Sequence, residues 1–465
     1  MTRLSLCLAL AGIACVRYEP RPLDPARHPD EVRSRDLADS ALVAGVARYA
    51  GRPEGGRWTD RQLAVAALRL RADLRRLRAE WRAAGAAVRT AGERPRPGVL
   101  GDIERRVGGR DEGSPWVVAV GGMFSLELGG KRGARLQAAR AHVTLAESRL
   151  LAAAWGAATD TRLAAARLAQ ASDEVEDARQ EFGLLEELHG LERARYAEAA
   201  LGAAELARTS TEIQNARLSL AEAEHGVLAA RSALAATMAV PVRAVEAVEP
   251  DITIPPGCSS LDSIGVDSFV AGAIGRRHEV SLALGEYALA ESQLRVQVAR
   301  QYPDLELGPG FVWDQGVNRW TLALALPALL GSRNRGAIGE AEATREVAGL
   351  KVAEVQDSVF ADVESAVQRC RGASLELAAT DSVVAAATRL VERDRAAYQR
   401  GETSRLEPAR TELQLLRATR ARRRAQRGLT LMSLDLERVA GGPSSRTSGK
   451  WPDPRQEPEE EAPRP

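Results

Sequence analysis

The chain has 465 residues and a formal net charge of +1 from 64 basic and 63 acidic side chains, so no global field recruits nucleic acid or an anionic surface. Aromatic residues make up only 4% and the apolar 45% is mostly Ala and Leu, which argues against a compact enzyme with a thick aromatic core and for long, closely packed helices. Arginine supplies almost all the positive charge, since Lys131, Lys351 and Lys450 are the only lysines, a bias read as genomic rather than as phosphate recognition.

From the N-terminus, Thr2 and Arg3 precede the apolar run Leu4 to Ile13, too short to cross a bilayer as a helix, and Ala14 and Cys15 close it. A small residue before a cysteine there resembles a bacterial lipobox, which implies removal of residues 1–14 and lipidation of Cys15. Gly12 stands where that pattern carries Leu or Val, so ordinary cleavage or an uncleaved start stays open. Val16 follows the cysteine, not the Asp associated with inner-membrane retention. Residues 15–58, with Pro20, Pro22, Pro25 and Pro29, read as a lipid-anchored tether holding a short helix near Leu37 to Tyr49.

Beyond the tether the chain is written twice. Arg193, Tyr196, Glu205, Arg208 and Thr209 recur as Arg395, Tyr398, Glu407, Arg410 and Thr411, at a constant offset of 202 positions (196 to 398, 205 to 407). One copy fills 59–240 and the other 264–442, joined by a linker at 241–263 with Pro250, Pro255 and Pro256. The tail 443–465 is proline-rich and charged and is expected to be disordered.

Each copy reads as helix, two strands, long helix, shorter helix. The opening helices run around Thr59 to Thr90, with Leu63, Leu70, Leu74 and Leu77 at helical spacing, and around Val266 to Gln301. Strands follow at about 98–107 and 116–128, then at about 303–313 and 318–328. In the first copy Trp116, Val118, Val120, Phe124 and Leu126 alternate with small or polar residues. In the second, Trp320, Leu322, Leu324 and Leu326 do the same, and Leu305, Leu307, Phe311 and Trp313 mark the partner strand. Proline-free stretches then run from Lys131 to near Glu198 and from Arg333 to near Arg400, helices of about 100 Å at 1.5 Å per residue. The shorter helices, about Ala203 to Met238 and Ser404 to Val439, return along them.

Four strands cannot close a sheet within hydrocarbon, because spanning barrels need at least about eight. Membrane entry therefore demands oligomerisation: three chains would supply twelve strands and two chains eight. This duplicated pattern, with Tyr398, Gly401, Leu406 and Glu407 in a Y-x-x-G-x-x-x-x-L-[DE] motif, resembles the TolC-like outer-membrane efflux proteins. The resemblance implies a mainly α fold with a transmembrane β-barrel contribution, a homotrimer with a twelve-stranded barrel, and a helical tunnel through the periplasm.

It further implies passive export of small molecules (drugs, toxic compounds or metal ions) driven by an inner-membrane RND or ABC pump through a periplasmic membrane-fusion adaptor. The adaptor would dock at the tips Leu201, Gly202, Ala203, Gly401, Glu402, Thr403 and Ser404. The periplasmic aperture would be lined by Glu407, Arg410, Tyr398, Glu205 and Arg208, with Glu407 either a carboxylate gate or an ion-pair partner of Arg410. The barrel residues Trp116, Val118, Val120, Phe124, Leu126, Trp320, Leu322, Leu324 and Leu326 would face outer-membrane lipid.

No phosphate-binding loop, paired-histidine motif, Cys-x-x-Cys or nucleophile elbow occurs. His28, His142, His189, His225 and His278 show no ligand spacing, so no catalytic residue, metal or cofactor is expected. Cys258 and Cys370 are read as two unpaired thiols, although an oxidising periplasm permits a bridge. Two other readings stay open: the outlet of a type I protein-secretion system, and a periplasmic coiled-coil scaffold or adaptor that never enters a membrane.

Overall fold

The computed structural model describes residues 18–105, 107–108, 114–255, 258, 266–314, 316–326, 334–442 and 451–456. Cys15 and the leader before it lie outside the described residues. The tether carries two helices, α1 (Arg27–Ser34) and α2 (Ser40–Ala50), the second started by Asp39, whose carboxylate accepts from the Ala41 and Leu42 amides. A short strand β1 (Arg57–Thr59) leads into α3 (Asp60–Leu70), where Thr59 and Gln62 form a reciprocal capping box.

The helix expected over Thr59 to Thr90 is broken: α3 stops at Leu70 and α4 (Ala72–Ala91) resumes after Arg71, which is extended at φ −69° and ψ 125°. The two strands of the first copy follow, β2 (Gly98–Arg105) and β3 (Trp116–Leu126), then the long helix α5 (Lys131–Ala197), 67 residues, and the return helix α6 (Ala203–Met238). In the linker, β4 (Glu249–Asp251) pairs in parallel with β1.

The second copy repeats the order: α7 (Val266–Arg276), α8 (His278–Ala299), β5 (Leu305–Asp314), β6 (Val317–Ala325), α9 (Arg335–Gln399), 65 residues, and α10 (Leu406–Val439). Its opening helix breaks at the equivalent place, at Arg277, with φ −61° and ψ 126°.

Both breaks have one cause. Arg71 donates from Nε to Asp73 at 2.9 Å and from Nη1 to the Thr237 carbonyl at 3.1 Å, one residue before α6 ends. Arg277 donates from Nε to Glu279 at 3.0 Å and from Nη1 to the Val439 carbonyl at 3.0 Å, the last residue of α10. Each guanidinium thus caps the negative, unsatisfied end of the return helix, which repays the interrupted helix with a charge-assisted bond. Arginine is a good helix former, so the residue itself gives no warning of the break.

Strands β2, β3, β5 and β6 form an antiparallel sheet in the order β2-β3-β5-β6. Among the described residues the buried apolar side chains gather in four clusters along the rods. One cluster gathers Val46, Trp58, Leu63, Leu168, Leu234 and Met238 where the tether, α3, α5 and α6 meet. Its counterpart gathers Phe269, Val363, Val367, Cys370 and Leu436. A third, Leu185, Leu188, Ile213, Leu406 and Leu413, ties α5, α6 and α10 together near the hairpin tips.

Two expectations are corrected here. Cys258 and Cys370 are bridged, with Cα atoms 5.4 Å apart, rather than free. The linker folds back onto α9 and buries Cys258 in the second cluster beside its partner, so 112 residues of sequence separation impose no distance in space. The tail is ordered over 451–456: Trp451 packs on the first cluster under the Arg61 guanidinium at 5.1 Å, and Arg78 donates to the Pro454 carbonyl at 2.9 Å. An aromatic ring with a cation above it anchors a segment whose composition alone reads as unstructured. The rest of 443–465 lies outside the described residues.

Candidate membrane wall and pore aperture

The sheet is two-faced in register. Residues directly opposite share a face, so Ile103 opposite Val118, Val118 opposite Trp313, Val120 opposite Phe311, and Phe311 opposite Trp320 build one continuous apolar surface. Val99, Phe124, Leu126, Leu307, Leu322 and Leu324 extend it, and Leu326 lies exposed just past β6. Trp320 is 85% and Val99 83% exposed, an arrangement an aqueous monomer would not keep. Trp116 at the end of β3 sits on the same face, and Val118 is half-buried by its neighbours. The reverse face is mostly small or polar, with Ala119, Gly121, Ser125, Gly308, Gly310, Thr321 and Ala323, and also carries Leu100, Val117, Met123, Val312 and Val317.

Val99 and Ile103 belong to this apolar face but not to the strand pattern read from the sequence, because Gly101 between them interrupts the bulky alternation. Among the described residues no helix is long and apolar enough to cross a membrane.

At the other end of the rods, the two hairpin tips are built by one hydrogen-bond pattern. Ala199 N donates to Tyr196 O at 3.0 Å and Ala200 N to Arg195 O at 2.9 Å; Gly401 N donates to Tyr398 O and Glu402 N to Ala397 O, both at 2.9 Å. Both bonds close a helix end through a left-handed residue, Ala199 at φ 54° and Gly401 at φ 75°.

Of the residues expected at the tips, Gly202, Ala203, Gly401, Glu402 and Thr403 are exposed. Leu201 packs against the third cluster, and the Ser404 hydroxyl accepts from Arg195 at 2.9 Å. Tyr196 and Tyr398 are half-exposed at the ends of α5 and α9, 46% and 44%.

Just inside the tips, Arg410 gathers three carboxylates. Its Nη2 donates to Glu192 at 2.9 Å and also to Glu205, while Glu407 stands 3.7 Å from Nη1. Burial lowers the proton affinity of the Arg410 guanidinium, but the hydrogen bonds to Glu192 and Glu205 outweigh it and hold the group above its ordinary range. Glu205, Glu407 and Arg410 are therefore brought together, whereas Arg208 is exposed with no carboxylate of its own chain paired to it among the described residues. Glu192 is the partner the sequence reading missed. It is buried, and its counterpart at the 202-residue offset is Asp394, so an acid stands in both copies.

Along the rods α10 lies against α5 through a ladder of ion pairs. Arg417 and Arg420 reach Glu181 at 2.8 and 2.6 Å, Arg423 reaches Asp177 at 2.7 Å, and Arg427 reaches Asp173 at 2.6 Å. Nearer the tip Arg405 bridges Glu187 and Glu412.

A family model described as outer membrane efflux protein matches residues 270–442, almost the whole second copy. The second copy is therefore similar to the outer membrane efflux proteins. The family's members are outer-membrane channel proteins, not enzymes. No curated protein matches the chain by sequence.

Solved structures match its fold over nearly their whole length. The outer membrane protein VceC of Vibrio cholerae is 20% identical, covers 82% of this chain and 96% of its own, and has a TM-score of 0.64. The outer-membrane channel OprN is 18% identical over 92% of this chain and 99% of its own, with a TM-score of 0.65. The open state of the MtrE outer membrane channel of Neisseria gonorrhoeae is 18% identical over 92% of this chain and 97% of its own, with a TM-score of 0.61. The fold of this chain is thus the mainly helical rod with a four-stranded sheet that those channels share.

Proposed function

We propose that three copies of the chain form a channel-tunnel through which small molecules leave the cell passively. The observation that carries this reading is the four-stranded sheet, one face of which gathers bulky apolar residues in register from every strand, Trp116, Phe311 and Trp320 among them, while the opposite face is mostly small or polar. Strands β2 and β6 each keep one edge unpaired within the chain, and inside hydrocarbon such edges must bond to those of neighbouring chains. Three sheets joined edge to edge give a twelve-stranded wall around a lumen lined mostly by small and charged residues such as Gly121, Ala119, Ser125, Thr321, Glu306 and Arg319. The rods of about 100 Å continue that lumen through the periplasm.

In this reading the tips form the periplasmic mouth, where the exposed turns Gly202–Ala203 and Gly401–Thr403 meet an adaptor, and an inner-membrane pump of the RND or ABC class supplies the energy. Lipidation of Cys15 would hold the tether to the outer membrane. The repeat also supplies the closure: Arg208 stands where Arg410 stands in the second copy, and Asp394 and Glu407 stand where Glu192 and Glu205 stand. A ring of Arg208 groups facing Asp394 and Glu407 of the next chain would narrow the mouth as Arg410 binds its own chain.

Conductance of the detergent-purified protein in a planar bilayer tests this reading. A trimer whose Glu407→Ala variant conducts more and selects cations less is the expected result. A monomeric protein, or one without conductance, overturns the channel; unchanged conductance and selectivity in the variant removes Glu407 from the gate.

A further inference from the structure

The ion-pair ladder between α10 and α5 is an interface between the two copies within one chain. In a closed ring of duplicated chains the same interface must recur between the second copy of one chain and the first copy of the next, with α6 in the place of α10 and α9 in the place of α5. The 202-residue offset then states which residues meet.

Arg420 and Glu181, 2.6 Å apart within the chain, become Leu218 and Val383 between chains. Arg423 and Asp177 become Ala221 and Ala379, and Arg427 and Asp173 become His225 and Leu375. On α5 these positions are covered by α10, and Asp177 is fully buried. Their counterparts on α9 and α6 are bare: Leu375 is 72%, Leu218 59% and Val383 55% exposed.

We propose that these two stripes are the halves of the seam between sister chains, and that this seam is apolar where its counterpart within the chain is ionic. The occupant of each stripe is a second copy of this chain, because one stripe is the structural equivalent of the surface that already covers the other's equivalent. The spacing agrees: Leu375, Ala379 and Val383 stand four residues apart on α9, and Leu218, Ala221 and His225 three and four apart on α6, so each set lies on one helix face. Leu218 and Val383 lose water only on assembly, which drives association without the geometric demand and salt sensitivity of an ion pair. One like-charge pair falls in the register, Glu222 opposite Glu376. It corresponds to Arg424 and Glu174, the loosest contact of the ladder at 3.6 Å, with Arg424 57% exposed, so it lies at the wet margin of the seam.

The inference rests on the channel reading, and the experiment separates the two. The full-length Leu218→Cys/Val383→Cys double variant is oxidised in detergent, and chain mass is read under non-reducing conditions beside light scattering of the unmodified protein. Covalent dimers and trimers in the double variant and not in either single variant are expected. A trimeric protein whose double variant yields no chain-to-chain product overturns the seam and leaves the channel standing; a monomeric unmodified protein overturns the channel itself.

A charge transplant makes a second measurement. Leu218→Arg or Val383→Glu alone is expected to raise the concentration for half-assembly about tenfold, since each buries an unpaired charge. Together they rebuild the Arg420–Glu181 chemistry and should return assembly to within about threefold of the original. No recovery in the double variant, with helix content intact, overturns the register.

Discussion

The two copies share a backbone to the level of single hydrogen bonds and differ in how each is fastened to its surroundings. Both tips close through the same pair of amide bonds, both opening helices break at an arginine that caps the return helix, and both long rods run for 65 residues or more. Yet the first copy is pinned to the rest by a buried ion cluster and by packing of the tether, and the second by a disulfide. Geometry held in common is what the proposed ring of six similar rods requires. Side-chain chemistry is free to diverge because each copy meets different neighbours.

The sharpest way to break this comparison is Arg162, which is 8% exposed and has no basic counterpart, since position 364 is Glu364. Its guanidinium holds Asp60 at 2.6 Å and Glu437 at 3.0 Å, joining α3, α5 and α10 across both copies. Arg162→Ala leaves two buried carboxylates without their cation and should cost about 3–5 kcal/mol. Chemical denaturation of the purified protein measures it; a loss below about 1 kcal/mol would mean that water already serves those carboxylates. The effect next in size is removal of the bridge. Cys370→Ala or reduction frees a loop of 112 residues and should cost about 2–4 kcal/mol, the usual range for a bridge. Hydrogen exchange should place the loss around Phe269, Val363 and Leu436 and leave the first cluster protected.

A smaller pair of substitutions sharpens the likeness of the tips. Ala199 occupies a left-handed position that costs an L residue about 1–2 kcal/mol, and Gly401 occupies the same position at no such cost. Ala199→Gly should stabilise the first tip and Gly401→Ala destabilise the second, each by about 1 kcal/mol, read as opposite shifts in melting temperature. Equal signs would show that the tips are not equivalent.

The repeat, the rods and the apolar strands were legible in the sequence because they depend on periodicity, which Ala, Leu and alternating bulky residues display openly. The breaks at Arg71 and Arg277 were not, because only the distant ends of α6 and α10 explain them. Nor was the bridge, whose formation depends on the path of a proline-containing linker. Of the aperture, Glu205, Glu407 and Arg410 were found together from the repeated motif, while Glu192 lay outside it. Comparing 192 with 394 would have revealed an acid kept in both copies. Arg208 was grouped with them by sequence but has no carboxylate partner in its own chain among the described residues, which is what an alternating arrangement of equivalent interfaces requires.

The smallest predicted effect separates the tips by pH. In the second copy Glu412 accepts from Arg405 and Arg395, and position 210 in the first copy is Ser210, which cannot titrate. Partial burial raises the Glu412 carboxyl, but the two guanidinium groups outweigh it and hold the group below the usual carboxylate range. A depressed carboxyl contributes its stability in full above the unfolded value of about 4.3, and loses it as pH falls through the folded value. Acidification from pH 5 towards pH 3 should therefore loosen α9 and α10 at their tip before α5 and α6 at theirs, by under about 1 kcal/mol because the pair lies near the surface. Proteolysis at the two tips as a function of pH reads the difference, and Glu412→Gln should abolish it; equal susceptibility of both tips at every pH would remove the Arg405–Glu412–Arg395 clamp from the account.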